Sequence, residues 1–180
     1  MSANSEAKEA LMHSCIKFLK TKSPDKIFIT DLVKDCHLNR NTFYYHFTGI
    51  PQLLSAVIFR QIKTVVDKYP TLPDLASCLD SLAGHSLEYK DVILNIFQSE
   101  NRKVYEDLLF QVCEYIATKY AGDFFSRHSD YSDEDKELLI HFYTCEGFGQ
   151  FMEWINSDMS FEPMERIRKY MQMYKKLIVE

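Results

Sequence analysis

Residues 27–54, IFITDLVKDCHLNRNTFYYHFTGIPQLL, decide how the chain is read. Leu32, Val33 and Cys36 follow i, i+1, i+4 spacing, which predicts a short helix over about residues 29–36 with one inward stripe. His37, Leu38 and Asn39 break that pattern within three residues. The Asn39 side-chain oxygen can accept from an unpaired amide of a following first turn, so a second helix is expected from Arg40 to about Phe47. Gly49 and Pro51 then punctuate the chain before a long apolar-periodic stretch. A short helix, a tight turn and a second short helix make a helix-turn-helix, whose second helix can lie in a DNA major groove.

What the second helix shows to solvent sharpens the reading. Phe43 and Phe47 stand four apart and are expected to anchor it inward. Arg40, Asn41, Thr42, Tyr44, Tyr45 and His46 remain outside. A solvated two-turn helix has little use for two tyrosines, a histidine and an arginine together. DNA has use for each. Arginine takes guanine O6 and N7 bidentately, and asparagine does the same with adenine. Hydroxyl and imidazole groups reach phosphate oxygens and fix the register.

The run Asn39-Arg40-Asn41-Thr42-Phe43-Tyr44-Tyr45-His46-Phe47, followed by Leu53-Leu54, resembles the DNA-binding end of TetR/AcrR-type bacterial transcriptional regulators. Ile27, Asp31, Leu32 and Leu38 stand at matching spacings. The resemblance implies that Arg40, Asn41 and Tyr45 face bases and that Thr42, Tyr44 and His46 contact phosphates. Three positions depart from the family pattern. Phe28 stands where the family has a capping Ser or Thr. His37 stands where it has Gly, and Ile50 where it often has a phosphate-gripping Lys. Histidine tolerates a left-handed turn backbone better than most residues, though less well than glycine.

At 180 residues the chain is one large domain or two small ones. A hydrophobic content of 46% suffices for a buried core, and five Gly and five Pro leave long uninterrupted periodic stretches. With no strand pattern, the expected fold is all-α. Net charge is −5, which argues against indiscriminate nucleic-acid binding. The charge is uneven: residues 1–50 hold seven Lys/Arg against five Asp/Glu, and the rest hold 14 against 21. A mildly basic N-terminal end on an acidic body suits a DNA reader. Cysteines 15, 36, 78, 113 and 145 are scattered, with no C-x-x-C, and read as reduced thiols used as small hydrophobes, a redox-sensing role being the lesser alternative. No secretory or membrane-spanning run is present in the sequence, so a cytoplasmic location is expected.

A first helix is expected over about residues 6–22, burying Ala7, Ala10, Leu11, Ser14, Cys15, Phe18 and Leu19, after a frayed start at 1–5. Lys8, Lys17, Lys20 and Lys22 read as solvated charges, or as cations near a phosphate. From about 51 to 69 the periodicity predicts a helix with Leu54, Ile58, Ile62 and Val65 on one face and Leu53, Val57 and Val66 beside them. In the resembled family this helix links head to body. The functional division is therefore a DNA-binding domain over 1–50 and a dimerisation and effector domain over 51–180. Residues 73–100 read as two helices broken around Gly84 to Ser86. A long helix follows over 101–128, with Val104, Leu108, Val112, Ile116 and Tyr120 spaced by fours and Gly122 as a kink or end. After a polar loop over 128–133, Ser132 should cap a helix to about 157 that carries Leu138, Leu139, Phe142, Phe148, Phe151, Met152 and Ile155. Gly147 and Gly149 inside it imply a kink or the close approach of another helix. Pro163 should start a last helix with Met164, Ile167, Met171, Tyr174 and Ile178, flanked by Tyr170 and Leu177.

The last two helices are candidates to pack against a twin's copies, since such readers need two heads about one DNA turn apart. Their pattern is loosely similar to short TetR-type proteins, including relatives of the dihydroxyacetone-kinase operon activator (DhaS-like regulators). Phe97, Tyr105, Phe110, Tyr115, Tyr143, Phe148 and Met152 are candidates to line an effector pocket, although aromatics at helical spacing are more often core. His141 and Cys145 share a helix face, but two ligands do not make a metal site. No nucleophile elbow or phosphate-binding loop is present, so neither enzyme activity nor a cofactor nor a metal is expected. The expected function is a homodimeric regulator, a repressor, that reads a near-palindromic DNA operator and answers to a small-molecule effector or a partner protein. The alternative is a TetR-like protein-interaction module or coregulator with weak or lost DNA binding.

Overall fold

The computed structural model describes residues 3–128 and 130–178, and the side chains of 3, 4, 171 and 174–178 lie outside that description. The expected contributions of Met171, Tyr174, Leu177 and Ile178, of Ser129 in the polar loop and of the first two residues therefore lie outside the described residues. Among the described residues the chain is all-α, nine helices and no strand. In order they are α1 (Ala3–Leu19), α2 (Ile29–Asp35), α3 (Arg40–His46), α4 (Ile50–Val66), α5 (Leu75–Glu88), α6 (Lys90–Phe97), α7 (Arg102–Phe125), α8 (Asp133–Asn156) and α9 (Pro163–Ile178).

The helices form two compact units. The first holds residues 1–64 with 91–109, the second residues 65–90 with 110–180. The core of the first gathers Leu11, Cys15 and Leu19 of α1, Leu32 and Val33 of α2, and Phe43 of α3. Phe47 and Leu53, Leu54 and Val57 of α4 complete it, with Ile96, Phe97, Tyr105 and Leu108. Of the expected α1 stripe, Leu11, Ser14, Cys15 and Leu19 are buried and Ala7, Ala10 and Phe18 half-buried, and Met12 joins the buried set. Asp35 ties α2 to α1: Ser14 Oγ donates to it at 2.9 Å and Lys17 pairs with it. Those two contacts, Lys17 first, hold its carboxyl below the usual carboxylate range.

The second unit packs around Trp154, which is fully buried and donates its indole N–H to the Phe161 carbonyl at 2.8 Å. Val65, Val66, Cys78, Val112, Tyr120, Ile155 and Met164 are also buried in this unit. The end of α4 is fastened to α7 by polar bonds: Lys119 Nζ donates to the Val66 carbonyl at 2.9 Å and Tyr120 to that of Tyr69 at 2.7 Å. Arg168 of α9 makes a two-pronged bond to Asp80 of α5, at 2.8 and 2.7 Å. Ser132 caps α8, as its sequence predicts, and Asp135 completes a reciprocal box with it.

Several expected details are corrected. The break between the two shorter helices falls at Tyr89, not at Gly84 to Ser86. Gly84 lies inside α5, and Ser86 Oγ satisfies itself by donating to the Leu82 carbonyl at 2.8 Å. α7 continues through Gly122 to Phe125. Val104 is exposed and Tyr105 is buried in its place. A row spaced by fours drifts about 40° per step around a 3.6-residue helix, so its far end must leave the core. Leu138 and Phe142 on α8 are exposed, at 68% and 61%. Gly147 does accept a neighbour: a Cβ there would meet Cys113 Sγ at 3.6 Å. Nothing approaches Gly149.

Candidate nucleic-acid interface

The four-residue turn between α2 and α3, Cys36 to Asn39, is built from backbone bonds. The Leu38 N–H reaches back to the Val33 carbonyl at 2.8 Å, and the His37 N–H to that of Lys34 at 3.2 Å. These paired bonds end a helix when the residue between takes a left-handed backbone. That residue is His37, with φ 54°. The departure from glycine thus keeps the turn geometry and pays for it in local strain.

Asn39 then opens α3. Its side-chain oxygen accepts from the Thr42 N–H at 2.9 Å and from the Thr42 hydroxyl at 3.1 Å. Phe28, at the head of α2, gives no side-chain cap and stands 61% exposed. Phe43 and Phe47 point inward, as their spacing predicts, and both are buried. Their rings lie 5.9 Å apart, and Tyr44 stands edge-on to Phe43 at 5.6 Å.

α3 therefore offers one outward face. Arg40, Asn41, Tyr44 and Tyr45 are exposed, Tyr45 at 73% and Tyr44 at 56%. Thr42 and His46 are half-buried. Two details bear on phosphate contact. The single Thr42 hydroxyl proton is already given to Asn39. His46 Nε2 is sealed from solvent and has no hydrogen-bond partner, so only Nδ1 of that ring is left to meet an outside group.

Acids already hold several of the unit's cations. Lys17 pairs with Asp35, Lys22 with Asp31 at 2.9 Å, and Arg60 with Glu9. Lys8 stands over the Phe47 ring at 5.9 Å. Ile50, at the position where the resembled family often has lysine, lines a cavity of about 440 Å³ in the same unit.

The effector-pocket candidates divide between the two units. Phe97 and Tyr105 are buried in the first unit. Phe110, Tyr115, Tyr143, Phe148 and Met152 belong to the second. There Phe110 meets Phe148 edge-on at 5.7 Å, and Tyr143 is 54% exposed beside Phe142. Only Tyr105 of the seven lines the 440 Å³ cavity, which sequence reasoning missed because its walls come from three distant stretches. His141 Nε2 lies 3.5 Å from Cys145 Sγ, and among the described residues no group of three or more metal-ligating side chains forms. Burial pushes the Cys15 and Cys113 thiols up to about 12, which makes both poor nucleophiles. No described helix is long and apolar enough to cross a membrane.

The model of a transcriptional regulator C-terminal region, TetR_C_8, matches residues 74–176, more than half of the chain. The chain belongs to the TetR family of transcriptional regulators. Among solved structures, the crystal structure of the reduced form of E. coli NemR is similar over 93% of this chain and 96% of its own, at 14% identity and a TM-score of 0.46. Among curated proteins, none matches.

The turn of this TetR-family chain makes a direct prediction. Replacing His37 with Gly should stabilise the protein by roughly 0.5–1 kcal/mol, the relief of left-handed strain less the extra freedom of an unfolded glycine. His37→Val should destabilise it, because a β-branched side chain fits that backbone worst. Urea midpoints of the two variants, moving in opposite directions from the parent, would bear this out. Equal midpoints would place the strain elsewhere.

Proposed function

We propose that the protein is a homodimeric DNA-binding repressor whose residues 1–50 read a near-palindromic operator and whose residues 51–180 dimerise and receive a signal. The observation that carries the reading is the outward face of α3. Arg40, Asn41, Tyr44 and Tyr45 are exposed on a helix pinned from behind by Phe43 and Phe47. Arg40, Asn41 and Tyr45 are the base-reading set. Thr42, Tyr44 and His46 set the register on phosphates, Thr42 by exchanging Asn39 for a phosphate oxygen and His46 through Nδ1. Membership of a regulator family supports the same conclusion and gives no reason to expect catalysis.

Dimerisation is supported by a row on α8. Leu138, Phe142 and Tyr143 are 68%, 61% and 54% exposed, and Tyr170 and Met173 on α9 are 41% and 52% exposed. Apolar side chains gathered on the two C-terminal helices are costly in water and mark an interaction surface. A second copy of the chain brings the same row, which suits a two-fold interface. An effector, small molecule or protein, acts by binding one head spacing better than the other, with α4 carrying the difference.

The second reading is a partner-binding member with weakened DNA contact. Ile50 favours it, since an apolar residue facing a cavity replaces a phosphate-gripping cation.

Binding to DNA upstream of the protein's own gene, measured by anisotropy against scrambled DNA across a salt series, separates the two. Nanomolar preference that falls steeply with salt supports the first. Weak binding without preference to that DNA and to operators sought by genome-wide selection favours the second. Within the first reading, Tyr44→Phe should weaken binding to all sequences alike, and unchanged affinity would remove Tyr44 from the phosphate contacts. Arg40→Ala should cost roughly 1–3 kcal/mol and relax preference at one base pair. An unaltered preference would take Arg40 out of the base-reading set. Phe142→Lys should shift the protein towards monomer in sedimentation while its helical content stays the same. A dimer that persists with unchanged affinity would move the interface off this row.

A further inference from the structure

We infer that the first unit carries a binding site for a small organic cation, an alkylammonium, in the cavity between the turn at Pro24–Lys26, the start of α4 and the connector from α6 to α7. This inference does not depend on the DNA-binding reading.

The cavity is about 440 Å³, within the range that holds small molecules. Its walls come from three distant stretches of chain. Ile27, Ile50 and Pro51 make the apolar side. Asp25 and Glu100 bring two carboxylates, both on exposed residues, and no lysine, arginine or histidine lines the space. The lining is therefore negative and in part apolar. An anion is excluded by charge. A bare metal ion is poorly served by two carboxylates beside hydrocarbon.

Tyr105 supplies the independent observation. It is 3% exposed and lines the cavity. Among the described residues its hydroxyl has no hydrogen-bond partner. The sealed, unpartnered polar atom among the described residues is His46 Nε2, not the Tyr105 oxygen. That oxygen thus keeps access to open space, and the space it lines is this cavity. Burial first, then the negative charge of Asp25, push its ionisation up to about 12. It remains a neutral hydroxyl at ordinary pH, and Asp25 is near enough to act on it. An ammonium N–H finds there a phenolic acceptor beside a carboxylate, and its short alkyl chain finds Ile27, Ile50 and Pro51.

The site touches both ends of the helix-turn-helix. Ile27 leads into α2, and Ile50 and Pro51 open α4. A bound cation would join these two ends to the connector before α7, and by linkage would raise the unit's stability.

The test is calorimetric titration of the full chain with n-butylammonium chloride, with 1-butanol and sodium chloride as controls. We expect saturable one-to-one binding by the amine, with 1-butanol weaker by roughly tenfold, the loss of one charge-assisted contact. Asp25→Asn with Glu100→Gln should weaken the amine by roughly tenfold or more. Both residues are exposed, and unchanged helical content would verify folding. Tyr105→Phe keeps the ring and should weaken the amine several-fold without altering the response to 1-butanol. Failure of the parent chain to saturate by about 10 mM amine, past the millimolar range of weak ligands, would overturn the inference. So would equal affinity of the parent and the double variant.

Discussion

Everything the head does depends on one left-handed residue. With φ 54° at His37, the chain leaves α2 and starts α3 after four residues. Two backbone bonds hold that reversal, from Leu38 to Val33 and from His37 to Lys34. The direction of α3 follows from it, and so does the side of α3 on which Phe43 and Phe47 fall. Those two rings go inward because burying them is worth more than any exposed alternative. Once they are committed, geometry leaves Arg40, Asn41, Tyr44 and Tyr45 with nowhere to go but out. The outward face is the remainder of a packing decision made by two phenylalanines and one strained turn.

Much of this was legible in the sequence. The period of Leu32, Val33 and Cys36, the breaker run after it and the Asn39 cap are local signals, and the structure has all three within a residue or so. The Ser132 cap was readable for the same reason: a cap is a contact across three residues. The break near Gly84 was misplaced because glycine weakens a helix without ending it. A helix with tertiary support absorbs about 1 kcal/mol. The long rows were misread at their ends for a geometric reason. Spacing by fours identifies a helix, but its drift means that the same row cannot face one core throughout, and Val104 fell on the outside. The cavity at Tyr105 left no trace in the sequence at all. Residues near 25, 50 and 100 meet only through the fold, and no periodicity connects them.

Family membership and geometry address different questions. Membership rests on residues 74–176, the part that carries no recognition helix. The proposed recognition face, in residues 40–46, is argued from exposure and chemistry. The two point the same way: the family match lies outside α3, while the exposed face of α3 suits the roles that the family resemblance implies for its residues. The departures also separate on inspection. His37 is accommodated, since the turn exists. Phe28 leaves the head of α2 without a side-chain cap and places an exposed ring there. Ile50 has a different neighbourhood, a cavity wall.

The charge pattern of the head constrains how such a protein would find a site. Lys17, Lys22 and Arg60 spend their charge on Asp35, Asp31 and Glu9, so their contribution to a long-range field is largely cancelled. The rest of the chain is acidic and repels DNA. Non-specific affinity, which grows with the number of phosphates neutralised, is therefore held low. Base contacts and hydroxyl-to-phosphate bonds are short-ranged and reward only a correct fit. On the proposed reading, a head with two exposed tyrosines and one exposed arginine on its recognition helix trades residence on random DNA for discrimination. Discrimination is the quantity that matters when competing sites vastly outnumber the true one.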